Sequence, residues 1–319
     1  MLKLDAIGAA MNDVQRAVEI LRGGGLVAFP TETVYGLGAD ATNDLAVAKI
    51  YEAKGRPQFN PLIAHVADVD EALVQAEFSA AALTLSAKFW PGPLTLVLPR
   101  KAGCTVSLLA SAGLPSLALR VPQHPLALEL IRAVGRPVVA PSANPSGMIS
   151  PTTAAHVREG LGRKVDLILD GGPCVVGLES TIVSLLDDVP RLLRAGGLPR
   201  DQIENALGRT LAASLAGPLH APGQLESHYA PSARVRLNAH DIAPGEALLA
   251  FGPNPPKSSG PVVNLSATGD VIEAAQVLFA ALRTLDATGC ATIAVMPVPS
   301  HGLGDAINDR LTRAAAPRG

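Results

Sequence analysis

The segment LVAFPTETVYGLGADATNDLAVAKIYEAKGRPQFNPLIAHV (residues 26–66) contains one complete strand–helix–strand unit of the chain. Its apolar start, LVAF (26–29), predicts a short buried strand, and a polar segment follows over 30–42. Apolar residues at helical spacing then predict a helix over 43–53. The run LIAHV (62–66) predicts the next strand. Short β-branched strands that alternate with helices are typical of an α/β fold.

The same alternation extends to both sides of this segment. Helices are predicted at 12–22, 68–76, 79–89, 125–134, 152–160 and 200–207. Strands are predicted at 94–98, 116–121, 137–140, 166–169, 181–186 and 191–194. Because several of these strands follow one another without a helix between them, we expect a mixed sheet rather than a purely parallel one.

The composition changes after residue 210. The segment 211–233 contains three prolines and little periodicity, which predicts a linker, and its length indicates that it covers another part of the protein. Beyond it, strands are predicted at 247–251, 262–265 and 292–298, and helices at 270–287 and 304–315. We therefore divide the chain into a first domain (1–210), a linker (211–233) and a smaller second α/β domain (234–319).

The composition excludes several classes of protein. Hydrophobic residues make up 48% of the 319 residues and charged residues 17%, so the chain can build a core and is not disordered. The 26 basic and 28 acidic residues give no strong field for nucleic acid, and aromatic residues are scarce at 3%. Three distant cysteines and the lack of an apolar leader or membrane span predict a reduced, cytoplasmic protein.

The polar segment PTETVYGLGADAT (30–42) is a candidate ligand loop because it follows a buried strand and carries four hydroxyl groups. Gly36, Gly38 and Ala41 also satisfy the dinucleotide pattern G-x-G-x-x-A. We reject that interpretation, because the strand ends six residues too early and no acidic partner follows a second strand at the required distance.

Two further segments combine polar residues with strand ends. In KGRPQFNPL (54–62), Lys54 and Arg56 follow a helix and could simply complement its C-terminal dipole. His65 in the next strand is, by residue type, more often a core histidine than a ligand. The segment VVAPSANPSGMISPT (138–152) offers hydroxyls, amides and backbone N–H groups that suit phosphate or carboxylate oxygens, although an ordinary turn has a similar composition.

Four cations stand at strand or helix ends in a chain that is otherwise poor in charge: Lys54, Arg56, Arg120 and Arg194. We expect them near one edge of the sheet, where burial without partners would be costly. An anionic ligand would explain them, and a phosphorylated compound fits because arginine forks match phosphate oxygens. The usual phosphate loop, nucleophile elbow and metal motifs are absent from the sequence. The residues by themselves therefore predict only an α/β protein that binds a phosphorylated ligand.

Longer motifs resemble a known family. They are FPTETVYGLGADA, KGRPxxNPLIAHV, WPGPLTLVL, LRVPxHP, PSANxSGxxSPT, GLESTIV and LRAGG, in this order over residues 12–200. The sequence is similar to the YrdC-like threonylcarbamoyl-AMP synthases. The segments APGQLESHYAP and GLGDAINDRLTRAA resemble the long form of that family. The resemblance implies a twisted, open mixed sheet in the first domain and a Rossmann-like second domain.

The resemblance also implies an activity. Members of the family are nucleotidyltransferases that combine L-threonine, bicarbonate and ATP into L-threonylcarbamoyladenylate and pyrophosphate. A threonylcarbamoyl transferase complex then takes over the product and modifies the tRNA adenosine beside the anticodon. Mg²⁺ is expected to arrive with ATP, held mainly by phosphate oxygens and water. A direct contact with tRNA remains open, and neither a membrane nor a tightly bound organic cofactor is expected.

The resemblance assigns residues by motif. Those expected around the triphosphate in a catalytic role are Lys54, Arg56, Ser142 and Asn144. Those expected to bind ATP are Arg56, Asn60, Ser116, Ser142, Ser150, Arg194 and Tyr229. Those expected to bind threonine are Thr33, His65, Arg120, Ala140 through its backbone, and Ser180. Because Tyr229 lies in the predicted linker, the linker would act as a lid over the nucleotide.

Two alternatives remain at this point. One is a non-catalytic RNA-binding or ribosome-assembly module, against which the near-neutral charge and the few aromatic residues argue. The other alternative is an enzyme that also forms a carbamoyl-adenylate but uses an acceptor amine other than threonine, as in related carbamoyltransferase domains.

Overall fold

The computed structural model describes residues 13–214 and 228–317. The strands of the first part are β1 (Val27–Phe29), β2 (Gly36–Asp40), β3 (Ile63–His65), β4 (Leu94–Pro99), β5 (Ser116–Arg120), β6 (Val138–Val139), β7 (Leu167–Ile168), β8 (Thr181–Ser184), β9 (Arg191–Arg194) and β10 (Ala212–Ala213). Its helices are α1 (described over 13–22), α2 (Asp44–Lys54), α3 (Val69–Gln75), α4 (Ala80–Phe89), α5 (Pro125–Val134), α6 (Ala154–Leu161) and α7 (Arg200–Leu207).

Within the described residues, these ten strands form one sheet in the order β10-β9-β8-β4-β5-β3-β6-β2-β1-β7. The pairs β1–β2, β4–β5 and β8–β9 are antiparallel, whereas β3–β5 and β4–β8 are parallel. The predicted mixed α/β sheet is therefore confirmed. The predicted helix start at Asn43 is also confirmed, because its side chain accepts hydrogen bonds from the backbone N–H groups of Leu45 and Ala46.

The prediction of a polar loop over 30–42 is wrong in its second half, where β2 forms a hairpin with β1. Gly36 and Gly38 suggested a loop, but both have a packing role. A Cβ atom on Gly38 would lie 2.7 Å from the Phe29 ring, and one on Gly36 would lie 3.0 Å from the Cβ of Ala140. The glycines therefore let β2 pass close to its neighbours in the sheet.

The two faces of the sheet carry different layers, because strand residues alternate between them. Ala64, Leu117 and Leu119 face the main core, which includes residues from α2, α4, α6 and α7. On the opposite face, α1 and α5 cover the end of the sheet around β1 and β6. The middle of that face carries a small apolar cluster of Ile63, Val97, Ala118, Ile182 and Leu193. This is the face that holds the site described below.

The second domain has a smaller sheet. Its strands are β11 (Arg234–Arg236), β12 (Ala247–Ala250), β13 (Val262–Asn264) and β14 (Thr292–Val295), and its helices are α8 (Val271–Asp286) and α9 (Gly304–Ala315). The strands are all parallel, in the order β11-β14-β12-β13. Strand β11 was not predicted from the sequence, because its Arg-Val-Arg composition carries little hydrophobic signal. Of the predicted linker, residues 215–227 lie outside the described residues.

The two domains share a hydrophobic cluster. Val34, Ile149 and Leu178 of the first domain pack in one cluster with residues of α8 and α9. No helix in the described ranges is long and apolar enough to cross a membrane.

Candidate active site

A cavity lies over the middle of the sheet, on the face opposite the main core. All five residues predicted to bind threonine line it, together with four predicted around ATP: Thr33, His65, Arg120, Ala140, Ser180, Arg56, Ser142, Arg194 and Tyr229. The other lining residues were not predicted: Val34, Ile63, Pro141, Glu179 and His228. The cavity therefore joins residues that lie far apart in the sequence.

Strand alternation explains why these residues meet. Ile63 and His65 point to the face opposite Ala64, and Arg120 points to the same side as Ala118. The parallel register pairs His65 with Arg120. Arg120 and Arg194 are the last residues of β5 and β9, so these two cations lie at strand ends as expected. The cavity between them opens on the face of the sheet, where small residues such as Ala118 and Ala140 leave room.

Lys54 supports the cavity wall rather than lining the cavity. It is buried at the end of α2, and its Nζ donates hydrogen bonds to the backbone carbonyls of Ser142 and Asn144. Burial, and then the nearby Arg56 charge, lower the pKa of Lys54 well below its usual value. The ammonium thus joins α2 to the loop that carries Ser142.

Arg56 is held by the loop that follows it. Its Nε donates to the carbonyl of Asn60 at 3.2 Å and its Nη2 to the carbonyl of Pro61 at 3.1 Å. Burial lowers the pKa of Arg56 to about 10, so the side chain remains a cation at neutral pH. The Asn60 amide is fully buried, and neither of its polar side-chain atoms has a partner among the described residues. A buried amide without hydrogen-bond partners lowers the stability of the fold, unless a ligand supplies those hydrogen bonds.

Arg120 is not an unpaired cation, which corrects the sequence-based argument. Its Nη2 lies 2.5 Å from Glu32 Oε1, and its Nε donates to the carbonyl of Gly92 at 3.2 Å. Glu32 is 88 positions away in the chain and reaches Arg120 only through the fold, so the pair leaves no local pattern in the sequence. A substrate carboxylate at this position would share the guanidinium with Glu32.

His65 is buried beside Arg120 and the Phe29 ring, whose centroid is 6.4 Å away. Burial, and next the Arg120 charge, lower the pKa of His65 to about 3. The imidazole is therefore neutral at physiological pH. In that state the ring carries no charge, and its Nδ1 lies 3.3 Å from the carbonyl oxygen of Ile63, so one ring nitrogen already has a partner in the protein.

Ser180 and Arg194 lie at neighbouring strand ends on the same side of the cavity. Arg194 donates from Nε and Nη2 to the Ser180 carbonyl at 3.1 and 2.9 Å, and from Nη2 to its hydroxyl at 3.2 Å. That hydroxyl also lies 2.7 Å from the hydroxyl of Thr95. These bonds fix the guanidinium against the end of β8.

Glu179 contributes a buried carboxylate to the cavity wall. Ser150 donates its hydroxyl to Oε1 at 2.5 Å, and Arg310 of α9 donates Nε–H to Oε2 at 2.8 Å. Burial by itself would raise the pKa of Glu179, but Arg310, Arg194 and the Ser150 hydroxyl outweigh it and lower the pKa to about 2. Glu179 is therefore ionised at neutral pH.

His228 and Tyr229 close the cavity from the side of the second domain. Tyr229 packs on Phe279 with ring centroids 5.5 Å apart, and its hydroxyl is buried without a partner among the described residues. Its backbone has a positive φ of 63°, a conformation that residues other than glycine rarely adopt. With these side chains in place the cavity has a volume of about 40 Å³, enough for a few water-sized groups.

Five predicted residues do not line this cavity. Four of them are hydrogen-bonded to residues of the cavity wall or of the loops behind it. Lys54 and Asn144 belong to the bonded loop behind Ser142, Asn60 holds Arg56, and Ser150 binds Glu179. Ser116 lies at the start of β5, two residues before Ala118, which pairs with Ile63. The described part of the chain holds no group of three or more His, Cys, Asp or Glu side chains that could bind a metal ion.

Comparison with known proteins identifies the family. The Sua5/YciO/YrdC family model, described as telomere recombination, matches residues 19–196, and the model described as threonylcarbamoyl-AMP synthase, C-terminal domain, matches residues 198–316. The threonylcarbamoyl-AMP synthase of Pyrococcus abyssi is 42% identical over 96% of this chain and 94% of its own length. The chain belongs to the threonylcarbamoyl-AMP synthase family. The synthase of Bacillus subtilis is 41% identical over the same shares of both chains.

Solved structures agree with this family assignment. The crystal structure of P. abyssi Sua5 with L-threonine matches with a TM-score of 0.88 and 40% identity, over 95% of this chain and 94% of that one. Escherichia coli YciO matches with a TM-score of 0.52 and 26% identity, over 57% of this chain and 88% of its own. The two-domain architecture is therefore that of Sua5, whereas YciO corresponds to the first domain.

Sequence reasoning missed several charged residues around the site. Glu179 lies within the quoted GLESTIV motif, where a carboxylate among apolar neighbours was a signal that we did not use. Arg310 occupies a position on the buried stripe of α9, which also holds Ile307, Leu311 and Ala314. A cation on the apolar stripe of a helix indicates a buried partner, although the sequence does not say which one.

Proposed function

We propose that this chain combines L-threonine, bicarbonate and ATP into L-threonylcarbamoyladenylate and releases pyrophosphate. The observation that supports this most is that nine residues assigned from separate motifs line one cavity. Membership of the family, and the L-threonine bound to P. abyssi Sua5, favour threonine as the amine over another acceptor.

Threonine would occupy the part of the cavity near Arg120. Its carboxylate would pair with the Arg120 guanidinium, which Glu32 and the Gly92 carbonyl already hold in place. The neutral imidazole of His65, the hydroxyl of Thr33 and the hydroxyl of Ser180 offer hydrogen bonds to the side chain and amine. Arginine positions a carboxylate well because its planar fork matches the two oxygens.

ATP would place its phosphates against Arg56, Arg194 and the loop that carries Ser142. The Tyr229 hydroxyl lines the cavity and is buried without a partner among the described residues, so it is available to the same ligand. The Asn60 amide also lacks a partner there, but it lies behind Arg56 and would reach the ligand only if the cavity opens. The triphosphate would complete hydrogen bonds that are otherwise missing, which is a strong reason for a polar ligand here.

The reaction would proceed without a covalent enzyme intermediate. The threonine amine attacks the carbon of bicarbonate, water leaves, and a carbamate forms. A carbamate oxygen then attacks the α-phosphorus of ATP, and pyrophosphate leaves. The protein would contribute by holding two anions side by side and by neutralising the charge that develops on the phosphates. A set of fixed guanidinium and hydroxyl groups is suited to that task.

Mg²⁺ would enter with ATP. Because the described residues hold no cluster of metal ligands, and Glu179 is already bonded to Arg310 and Ser150, phosphate oxygens and water would supply its coordination. When bound, the ion would supply positive charge to the pyrophosphate leaving group.

His228 and Tyr229 would have to move for ATP to bind. The cavity of about 40 Å³ is far too small for a nucleotide beside an amino acid. We infer that this end of the predicted linker acts as a lid that withdraws to admit ATP and then covers it. In the cell we propose a cytoplasmic location and transfer of the product to a complex that modifies tRNA.

The test is mass spectrometry of the products formed with ATP, threonine and bicarbonate, each omitted in turn. We expect threonylcarbamoyl-AMP and pyrophosphate only in the complete mixture. Release of pyrophosphate that is unaffected by omitting threonine would contradict the proposal. Tight binding of tRNA at low salt without any adenylate would instead support the RNA-binding alternative.

A further inference from the structure

Arg310 is a fully buried arginine of the second domain that lies behind two residues of the cavity wall, Glu179 and Tyr229. It lies on α9, and its side chain is 0% exposed. Its Nε donates to Glu179 Oε2 at 2.8 Å across the domain boundary, and its Nη1 lies 2.6 Å from Asp309 Oδ2. Burying a guanidinium on the apolar side of a helix removes its hydration and costs free energy, so its protein partners must compensate for that loss.

The same guanidinium contacts the residue that closes the cavity. Its central carbon lies 5.1 Å from the centre of the Tyr229 ring, a distance at which a cation attracts an aromatic face. Tyr229 also packs on Phe279 of α8. Arg310 therefore contacts both a carboxylate and an aromatic ring that line the cavity.

Glu179 needs such a partner because of where it lies. Its carboxylate is ionised, and it lines the cavity next to Ser180 and on the same side as Arg194. A carbamate and a triphosphate both carry negative charge, so an uncompensated carboxylate in the cavity wall would repel them. Zwitterionic threonine has no net charge and would be affected much less.

We propose that Arg310 is a positioning residue of the synthase reaction: it neutralises Glu179, so that the phosphates of ATP meet no net negative charge in that wall. The inference rests on the proposed function. It gives the second domain a direct part in substrate binding, in addition to its packing against the first domain.

The test compares ATP and threonine affinities in full-length Arg310→Gln by titration calorimetry. We expect the dissociation constant for ATP to rise at least tenfold, and that for threonine to change less than threefold. In the double variant Arg310→Gln/Glu179→Gln the ATP affinity should return to within about threefold of the wild type, because the repelling charge is gone. Arg310→Lys, which keeps the positive charge, should bind ATP better than Arg310→Gln and provides the comparison if Arg310→Gln does not fold.

The matched control is Arg283→Gln. Arg283 is another arginine of the second domain, and its Nη2 donates to the carbonyl of Ile149 in the first domain without contacting Glu179. We expect it to leave ATP affinity unchanged. An equal loss in Arg283→Gln, or no recovery in the double variant, would show a merely structural role and overturn the proposal. If the wild type binds ATP and threonine but makes no threonylcarbamoyl-AMP, only the proposed function fails, because the affinities still test Arg310.

Discussion

At the scale of single residues, the site is built from buried cations whose partners are already in place. Lys54 is held by two backbone carbonyls, Arg120 by Glu32, and Arg194 by Ser180. Such bonds fix the direction of each charge before a ligand arrives, which lowers the cost of ordering on binding. The family motifs drew attention to these side chains, but the bonds that hold them involve residues elsewhere in the sequence.

Lys54 provides the first prediction at this scale. In Lys54→Met, the carbonyls of Ser142 and Asn144 lose their buried donor, so we expect the free energy of unfolding to fall by about 1–3 kcal/mol. Displacement of the Ser142 loop should lower adenylate formation at least tenfold, as measured by product mass spectrometry. The control is Lys49→Met on the same helix, where the exposed lysine donates to the Gly24 carbonyl outside the cavity. Equal rates in both variants would contradict this role for Lys54.

His65 provides a prediction about pH. Its pKa is about 3 in the folded protein, against about 6.5 for an unperturbed histidine. Between these values only the unfolded chain takes up the proton, so the free energy of unfolding falls as the pH falls below about 6.5. His228, whose burial lowers its pKa to about 3, acts in the same direction.

Denaturant unfolding at pH 5 and pH 6 measures this effect. Each buried histidine should contribute up to about 1.4 kcal/mol per pH unit, and His65→Gln should reduce the slope by about one such contribution. Replacing the exposed His301 by Gln should leave the slope unchanged. An unaltered slope in His65→Gln would show that His65 takes up its proton in the folded state.

At the scale of elements, the hairpin of β1 and β2 supplies part of the cavity wall. Thr33 and Val34 lie between these strands and line the cavity, and Gly36 forms a bridge to Ser142. The hairpin was missed because glycines are rare inside strands and ordinarily mark turns. Here they are needed for close packing, which depends on neighbours such as Phe29 rather than on local propensity.

We predict that Gly38→Ala lowers the free energy of unfolding by about 1–3 kcal/mol, because its new Cβ would overlap the Phe29 ring at 2.7 Å. The double variant Gly38→Ala/Phe29→Leu should lose less free energy of unfolding than the sum of the two single losses, because the Phe29 ring that the new Cβ would overlap is gone. The measurement is denaturant unfolding of the three variants. Gly160→Ala in α6, where the nearest neighbour is 3.3 Å away, is the control and should cost little. If the loss in the double variant equals the sum of the two single losses, the Phe29 ring is not what excludes a Cβ at Gly38.

The helices and most strands were predicted well because their signals are local. Helices α5, α7 and α9 have the predicted bounds, and αL glycines end two of them, Gly135 after α5 and Gly208 after α7. Caps and hydrophobic periodicity lie within a few residues of the helix that they define. Strand β11 was missed for the opposite reason, because its pairing with β14 across more than fifty residues is what makes it a strand.

At the scale of the whole molecule, the two domains meet beside the cavity. Glu179 and Arg310 join them through an ion pair, and Leu178 and Val34 pack into the core cluster of the second domain. The match of the first domain to YciO indicates that this architecture also occurs without the second domain. We therefore expect the first domain of this chain to fold without the second domain, which covers one side of the cavity.

Deleting residues 218–319 tests that view. We expect the shortened chain to remain folded, with a cooperative unfolding transition in denaturant, but to make threonylcarbamoyl-AMP at least tenfold more slowly, because Tyr229 and Arg310 are lost. It should also bind more of a hydrophobic dye than the full chain, since Leu178, Ile149 and Val34 lose their covering. Undiminished synthesis by the shortened, folded chain would contradict the lid and the role of the second domain.

Periodicity, caps and motifs in the sequence were enough to determine the α/β class, the mixed sheet, most element bounds and the family, because those signals act over short stretches of chain. The tertiary structure alone decided that the cavity lies on a sheet face and which charges pair, as with Glu179 and Arg310, 131 positions apart. Long-range pairs leave no local pattern. Their geometry depends on strand register and domain packing, which only the folded chain defines.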